Sequence, residues 1–232
     1  MIPYALIKYI LLTITISYIM HLAVTKWKVF LLLFLSVAVL GCKPEHYTVE
    51  AGFTNGSTTG RHIVSKMTIT TLSGGRANFA MGSVGGYPGA HSGGGKIDAP
   101  AYIEGEWAKG NPEPSSGLIS YHRISAPIPD NAEAKMKTMD NYYQNFDRDY
   151  GSIQVIVDGQ RVRVFFTKNC LDKLVDCTPK KGADPNGWVK KSPRDLTDVV
   201  VLFDGKGESS PTPFPNTFFA DLEKRKKASE SE

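Results

Sequence analysis

Cysteine is scarce in this 232-residue chain, which has three. No second Cys or His pair at ligand spacing accompanies Cys170 and Cys177, so a disulfide between these two is favoured and a zinc site is the alternative. There is no charge excess either: 27 Lys and Arg stand against 23 Asp and Glu, a formal net +4. Residues 1–41 hold Lys8, Lys26 and Lys28 but no acid, which leaves the remainder near +1. A nucleic-acid partner calls for a basic field that this chain lacks. Long apolar runs near a charged flank are missing too, since the run Val29–Leu40 has only twelve residues. As a helix it would rise about 18 Å against the ~30 Å of bilayer hydrocarbon, which argues against a permanent span.

What the N-terminus does contain is a secretory signal: Lys26 and Lys28, then the apolar core Val29–Leu40, then the small residue Gly41. Val39-Leu40-Gly41-Cys42 resembles the lipobox of bacterial lipoproteins, with Leu40 departing from the usual small residue at that position. The resemblance implies cleavage before Cys42, lipidation of Cys42 and a palmitate-like acyl anchor; a free or buried cysteine after an ordinary signal is the alternative. A second apolar stretch, Ile2–Met20 broken by Lys8, precedes this complete signal. Translation from Met20 gives ordinary signal proportions and is the expectation, with a first transmembrane helix as its rival. Residues 1–41 are thus read as a leader and 42–232 as one mature domain, with a frayed tail from about residue 224.

Beyond Cys42, short β-branched and aromatic stretches divided by Gly, Ser and Thr predict strands over His46–Phe53, His62–Thr71, Arg76–Met81, Ala101–Trp107, Leu118–Ala126 and Asp198–Phe203. Alternation is clearest from Val64 to Thr70. Ser152–Phe166 reads as two strands joined by Asp158-Gly159, a turn pair that tolerates positive φ, hence a β-hairpin. One mid-chain helix is expected after Pro129, with Asp130 as cap, Glu133 as capping-box acid, and Met136, Met139, Tyr143 and Phe146 on one packed face. A short helix over Thr217–Lys227 runs into the charged tail, where Lys224–Lys227 reads as a solvated helix end. The predicted class is α+β: predominantly antiparallel β-sheet, sandwich-like, with these two helices.

Between the early strands lies Gly82–Gly95, read as a loop too long and glycine-laden to be a mere connection. Within it, Ala90-His91-Ser92-Gly93-Gly94 looks like a lipase nucleophile elbow. An elbow needs a buried strand before the serine and a helix after it, and neither flank fits. His122 is the sole downstream histidine, with no triad acid in a recognisable setting. A phosphate cradle is equally short of parts, so no enzyme activity, cofactor or metal is expected. The other histidines, His46 and His62, read as ordinary strand residues, and Trp107, Tyr142 and Trp188 as packing residues or, for one of them, an interface anchor.

The lipobox at Cys42, the stretch His91-Ser92-Gly93-Gly94-Gly95, the strand ending at Trp107 and the hairpin at Asp158-Gly159 followed by Val162 and Val164 together resemble small proteobacterial lipoproteins that act as immunity partners of type VI secretion phospholipase effectors. The resemblance implies a periplasmic inhibitor, lipid-anchored to the outer membrane, since Lys43 follows the cysteine where an inner-membrane retention aspartate would stand; the inner membrane is the alternative. Its partner would be a cognate phospholipase. Tyr87, His91, Ser92, Gly93, Gly94, Gly95 and Trp107 are the expected contact residues. A structural envelope lipoprotein is the rival function, and a serine esterase using Ser92 a remote one.

Overall fold

In the computed structural model, residues 45–79, 82–111, 117–146, 150–170 and 177–231 are described. Alternating burial builds two sheets from them. Sheet A has the order β10(Val189–Lys191), β11(Asp198–Lys206), β9(Arg161–Thr167), β8(Tyr150–Asp158), β1(Thr48–Gly56), β5(Ala90–Asp98). Sheet B runs β12(Glu208–Ser210), β7(Leu118–Pro127), β6(Pro100–Gly110), β2(His62–Thr71), β3(Arg76–Asn78), and β4(Gly82–Val84) also pairs with β2. Every pairing is antiparallel except β1 with β8.

The sheets face each other as a sandwich, and the core between them takes one face of each strand. Val49 and Ala51, Ile153, Val155 and Val157, Val162, Val164 and Phe166 come from sheet A; Met67, Ile69, Ile103 and Trp107 come from sheet B. Burying each large side chain contributes roughly 2–3 kcal/mol. The alternation read from Val64 to Thr70 is interrupted: a register shift between Val64 and Lys66 against β6 marks a bulge, so Val64, Met67 and Ile69 all reach the core despite their mixed parity.

The mid-chain helix, α1, spans Ala132–Asp140, with Met136 and Met139 fully buried against the sandwich. Its cap is Asn131, not Asp130, and no side chain closes the cap; Glu133 instead meets Lys137 one turn on at 2.5 Å. Tyr143 and Phe146 lie past the helix end. Tyr143 is nevertheless buried, donating its hydroxyl to Asp198 at 2.9 Å. The C-terminal helix, α2, spans Phe218–Glu230, beyond the Lys227 limit expected, and Thr217 caps it through the Ala220 N–H. Phe219 packs on Tyr121 and Ala108, which point away from the inter-sheet core. Cys170 and Cys177 are bonded as a disulfide, Cα atoms 5.5 Å apart.

Candidate functional site

The run Gly82–Gly95 is not one loop. It forms β4, a turn over residues 85–89, and the first half of β5, because backbone pairing to β2 and β1 satisfies peptide groups that a loop would leave to water. The turn lies flat on the end of β1: the Ser57 N–H donates to the Gly86 carbonyl at 3.0 Å. A Cβ at Gly56 would stand 2.5 Å from the Gly86 oxygen, so glycine is what permits this approach.

That approach carries Tyr87 onto the outer face of sheet A, where it packs with Ile156, Phe165, Val199 and Val201. Tyr87 is 5% exposed and donates its hydroxyl to Gln154 at 2.7 Å; burial raises its pKa. The expectation that Tyr87 projects from a loop toward a partner is corrected: it closes a second small core.

His91 through Gly95 lie on β5, which among the described residues pairs with β1 alone and ends sheet A. Gly94 stands opposite Gly52, and a register shift between Phe53 and Thr54 leaves Ser92 as an extra residue between Gly93 and His91. The Ser92 hydroxyl donates to the Phe53 carbonyl at 3.0 Å, in a strand bulge and not in a strand-to-helix elbow. Gly93 and Gly95 have φ of +153° and +152°, values open to glycine and strained for other residues. Over the Gly52–Gly94 pair lie two rings: Tyr150 Oη and His91 Nε2 come within 2.8 and 2.9 Å of where a Gly52 Cβ would be. Tyr150 is 46% exposed and His91 is exposed as well.

Trp107 belongs to a different environment. It is fully buried, donates Nε1–H to the Gly159 carbonyl at 2.7 Å and stacks on His122 at 5.5 Å between ring centroids. It is therefore core, which corrects its expected place among the contact residues. His62 is equally buried. Its Nδ1 faces the Gly60 carbonyl at 3.0 Å, which only accepts, so Nδ1 carries the proton and Nε2 accepts the Gly159 N–H at 3.0 Å. Burial lowers the pKa of His62, and takes that of His122 down to about 4. Tyr142 and Trp188 are partly buried against the main core.

A feature that the sequence reading missed is the charged rim of sheet A's outer face. Arg161 binds Asp204 through both carboxylate oxygens, at 2.7 and 2.5 Å, and Arg163 binds Asp158. With Lys190, these arginines flank an apolar floor of Phe165, Val199 and Val201. The signal was present in the alternation Arg161-Val162-Arg163-Val164, which sends both arginines outward once the valines face the core.

Cys42 lies outside the described residues. Among those described, no helix is long and apolar enough to cross a membrane, and no group of three or more His, Cys, Asp or Glu is arranged to hold a metal ion. Comparison with known proteins matches the chain to no family model, no curated protein and no solved structure.

Proposed function

We propose that the chain is a periplasmic immunity lipoprotein, anchored by lipid on Cys42 to the periplasmic face of the outer membrane, which binds and inhibits a phospholipase effector delivered by type VI secretion. The observation that carries this reading is the shortness of the link between Cys42 and the folded domain. Tyr47 is already pinned, its hydroxyl donating to Asp140 at 2.5 Å, and His46 lies 4.0 Å from Glu133. Five residues extend at most about 18 Å.

A domain on so short a tether works at the lipid surface, where a phospholipase must act. Confinement there raises its effective concentration against an arriving enzyme. Ser92, the residue an esterase reading would need, supports the same view, because its hydroxyl is committed to the Phe53 carbonyl.

The test uses the type VI phospholipase effectors of the producing bacterium, assayed on fluorescent phospholipid vesicles. Stoichiometric full chain is expected to abolish hydrolysis by one of them, and Cys42→Ser is expected to inhibit equally in solution while protecting intoxicated cells far less. Undiminished hydrolysis by every effector under a large molar excess of the chain overturns the reading.

A further inference from the structure

The two sheets treat their edges differently. In sheet B, β7 is covered by β12 and β2 by β3 and β4, each cover strand three residues long. In sheet A, β11 is covered by the three-residue β10. At the opposite end stands β5, nine residues long, with no strand on its outer side among the described residues. Its last two residues, Ile97 and Asp98, are buried, and Asp98 accepts the Ser73 N–H at 2.7 Å. The open run is therefore Ala90–Lys96.

An uncovered strand offers a row of alternating N–H and C=O groups, and the ligand that satisfies such a row is another extended chain. Folded proteins guard long edges with charges, proline or inward-pointing polar groups. Here the guard is thin: one lysine, Lys96, and the bulge at Ser92. The middle three positions of the nine-residue strand are Gly93, Gly94 and Gly95, so at these three β5 adds no side chain to either face. On the outer face the exposed rings of Tyr150 and His91 border the gap, and on the inner face the Phe53 ring stands 3.9 Å from where a Gly93 Cβ would be. Aromatic rings beside glycines are surfaces against which a neighbouring strand's large side chains pack.

We propose that Ala90–Lys96 is a strand-addition site, taking an extended segment of a partner protein that carries large apolar side chains at alternate positions opposite the glycines and an acid beside Lys96. A second copy of this chain is the poorer occupant. Ala90–Lys96 itself holds no acid to set beside Lys96 and no large apolar side chain to set opposite the glycines, so a β5–β5 pair would leave the space beside the rings unfilled. The site does not require that the partner be a lipase, and so goes beyond the function proposed above.

The experiment pans displayed random linear peptides against immobilised full chain, with counter-selection on Ala90→Lys/Ser92→Lys, which guards the edge with charge. Expected are peptides of alternating large apolar residues with an acid, bound at least about tenfold more weakly by the guarded variant. Amide exchange should slow on binding within Ala90–Lys96. Lys96→Glu leaves the strand backbone alone and should weaken the acid-bearing peptides while keeping the wild-type melting temperature, so the proposal stays testable even if the guarded variant misfolds. Peptides that bind wild type and Lys96→Glu alike, protection at another surface, no enrichment, or a dimer that protects these amides would each overturn it.

Discussion

His62 Nε2 accepts the backbone N–H of Gly159 at 3.0 Å, a bond between residues 97 positions apart that ties β2 of one sheet to the hairpin turn of the other. Trp107 holds the same residue from its other side, donating to the Gly159 carbonyl at 2.7 Å. Both peptide groups of a tight turn are thus satisfied by side chains from sheet B, and the bond to His62 Nε2 requires that ring to stay neutral.

Stability is therefore expected to fall with acid. His122 titrates near 4 in the folded chain, chiefly through burial, with His62 and Lys109 adding like-charge repulsion. Its stabilisation is fully present above the ordinary histidine pKa of about 6.5 and is lost as pH falls from there toward 4, to a total of about 3 kcal/mol. His62, also lowered by burial, acts in the same direction. Urea unfolding at pH 7.5 and pH 5 measures the drop. In His122→Phe, which keeps an aromatic ring against Trp107, the drop should shrink by more than half; an equal drop would assign the acid sensitivity elsewhere.

Asp158 gives a second prediction with its own pH window. Its carboxylate accepts the Thr58 N–H at 2.6 Å, the Thr58 hydroxyl at 2.7 Å, the Ser57 hydroxyl at 3.0 Å and the Thr59 N–H at 3.0 Å, and pairs with Arg163. Burial opposes its charge, but the Thr58 bonds, Arg163 and Ser57 outweigh it and hold the pKa down at about 2. The stabilisation is present above the ordinary carboxylate range and is lost as pH falls through 4 toward 2. Asp158→Asn, which leaves Arg163 largely buried without its partner, is expected to cost about 3 kcal/mol at pH 7 in a denaturant titration.

These residues show where the sequence was legible. The Asp158-Gly159 turn was readable because two β-alternating runs flank a pair that suits positive φ, and Gly159 indeed sits at +60°. The two-sheet class and both helices followed from the same local rules, whereas the Cys170–Cys177 bond followed from cysteine count, as the pair left once Cys42 is set aside. What did not follow were features decided by neighbours remote in sequence. Glycine carries no strand propensity, so Ala90–Lys96 declares itself a strand only when β1 lies beside it, with Gly52 facing Gly94. Tyr87 looked like a loop aromatic because the surface it covers, Ile156 and Phe165, comes some seventy residues later. Asp130 resembled a cap, yet the helix begins one residue further on.

Tyr87 and His91 should separate cleanly in mutagenesis. Tyr87→Ala is expected to destabilise by about 3–5 kcal/mol, as for other buried aromatics, and Tyr87→Phe by about 1 kcal/mol through the lost bond to Gln154. His91→Ala, on the exposed side of β5, should change stability by under about 0.5 kcal/mol. Thermal unfolding of the three variants checks the order. A Tyr87→Ala chain as stable as wild type would return Tyr87 to the surface.

The glycines of residues 85–89 offer the sharpest contrast, because the same substitution at two nearby positions should have opposite consequences. At Gly89 the backbone has φ of +91°, and an added Cβ would fall 1.7 Å from the Asn55 carbonyl oxygen and 2.7 Å from the Gly56 Cα. Both are backbone atoms of β1, so relief requires the strand or the turn to move, and the turn is what holds Tyr87 in place. Gly89→Ala is expected to cost at least about 2–3 kcal/mol, combining left-handed strain with the clash. At Gly85 the nearest atom to an added Cβ, the Arg61 Cα, is 3.9 Å away, an ordinary contact, and φ is not in the left-handed region. Gly85→Ala should be neutral or stabilising by up to about 1 kcal/mol, since it narrows the unfolded ensemble without disturbing the fold. Paired urea titrations decide it: if both variants lose stability equally, the close approach of residues 85–89 to β1 is wrong, and with it the account of how Tyr87 is buried.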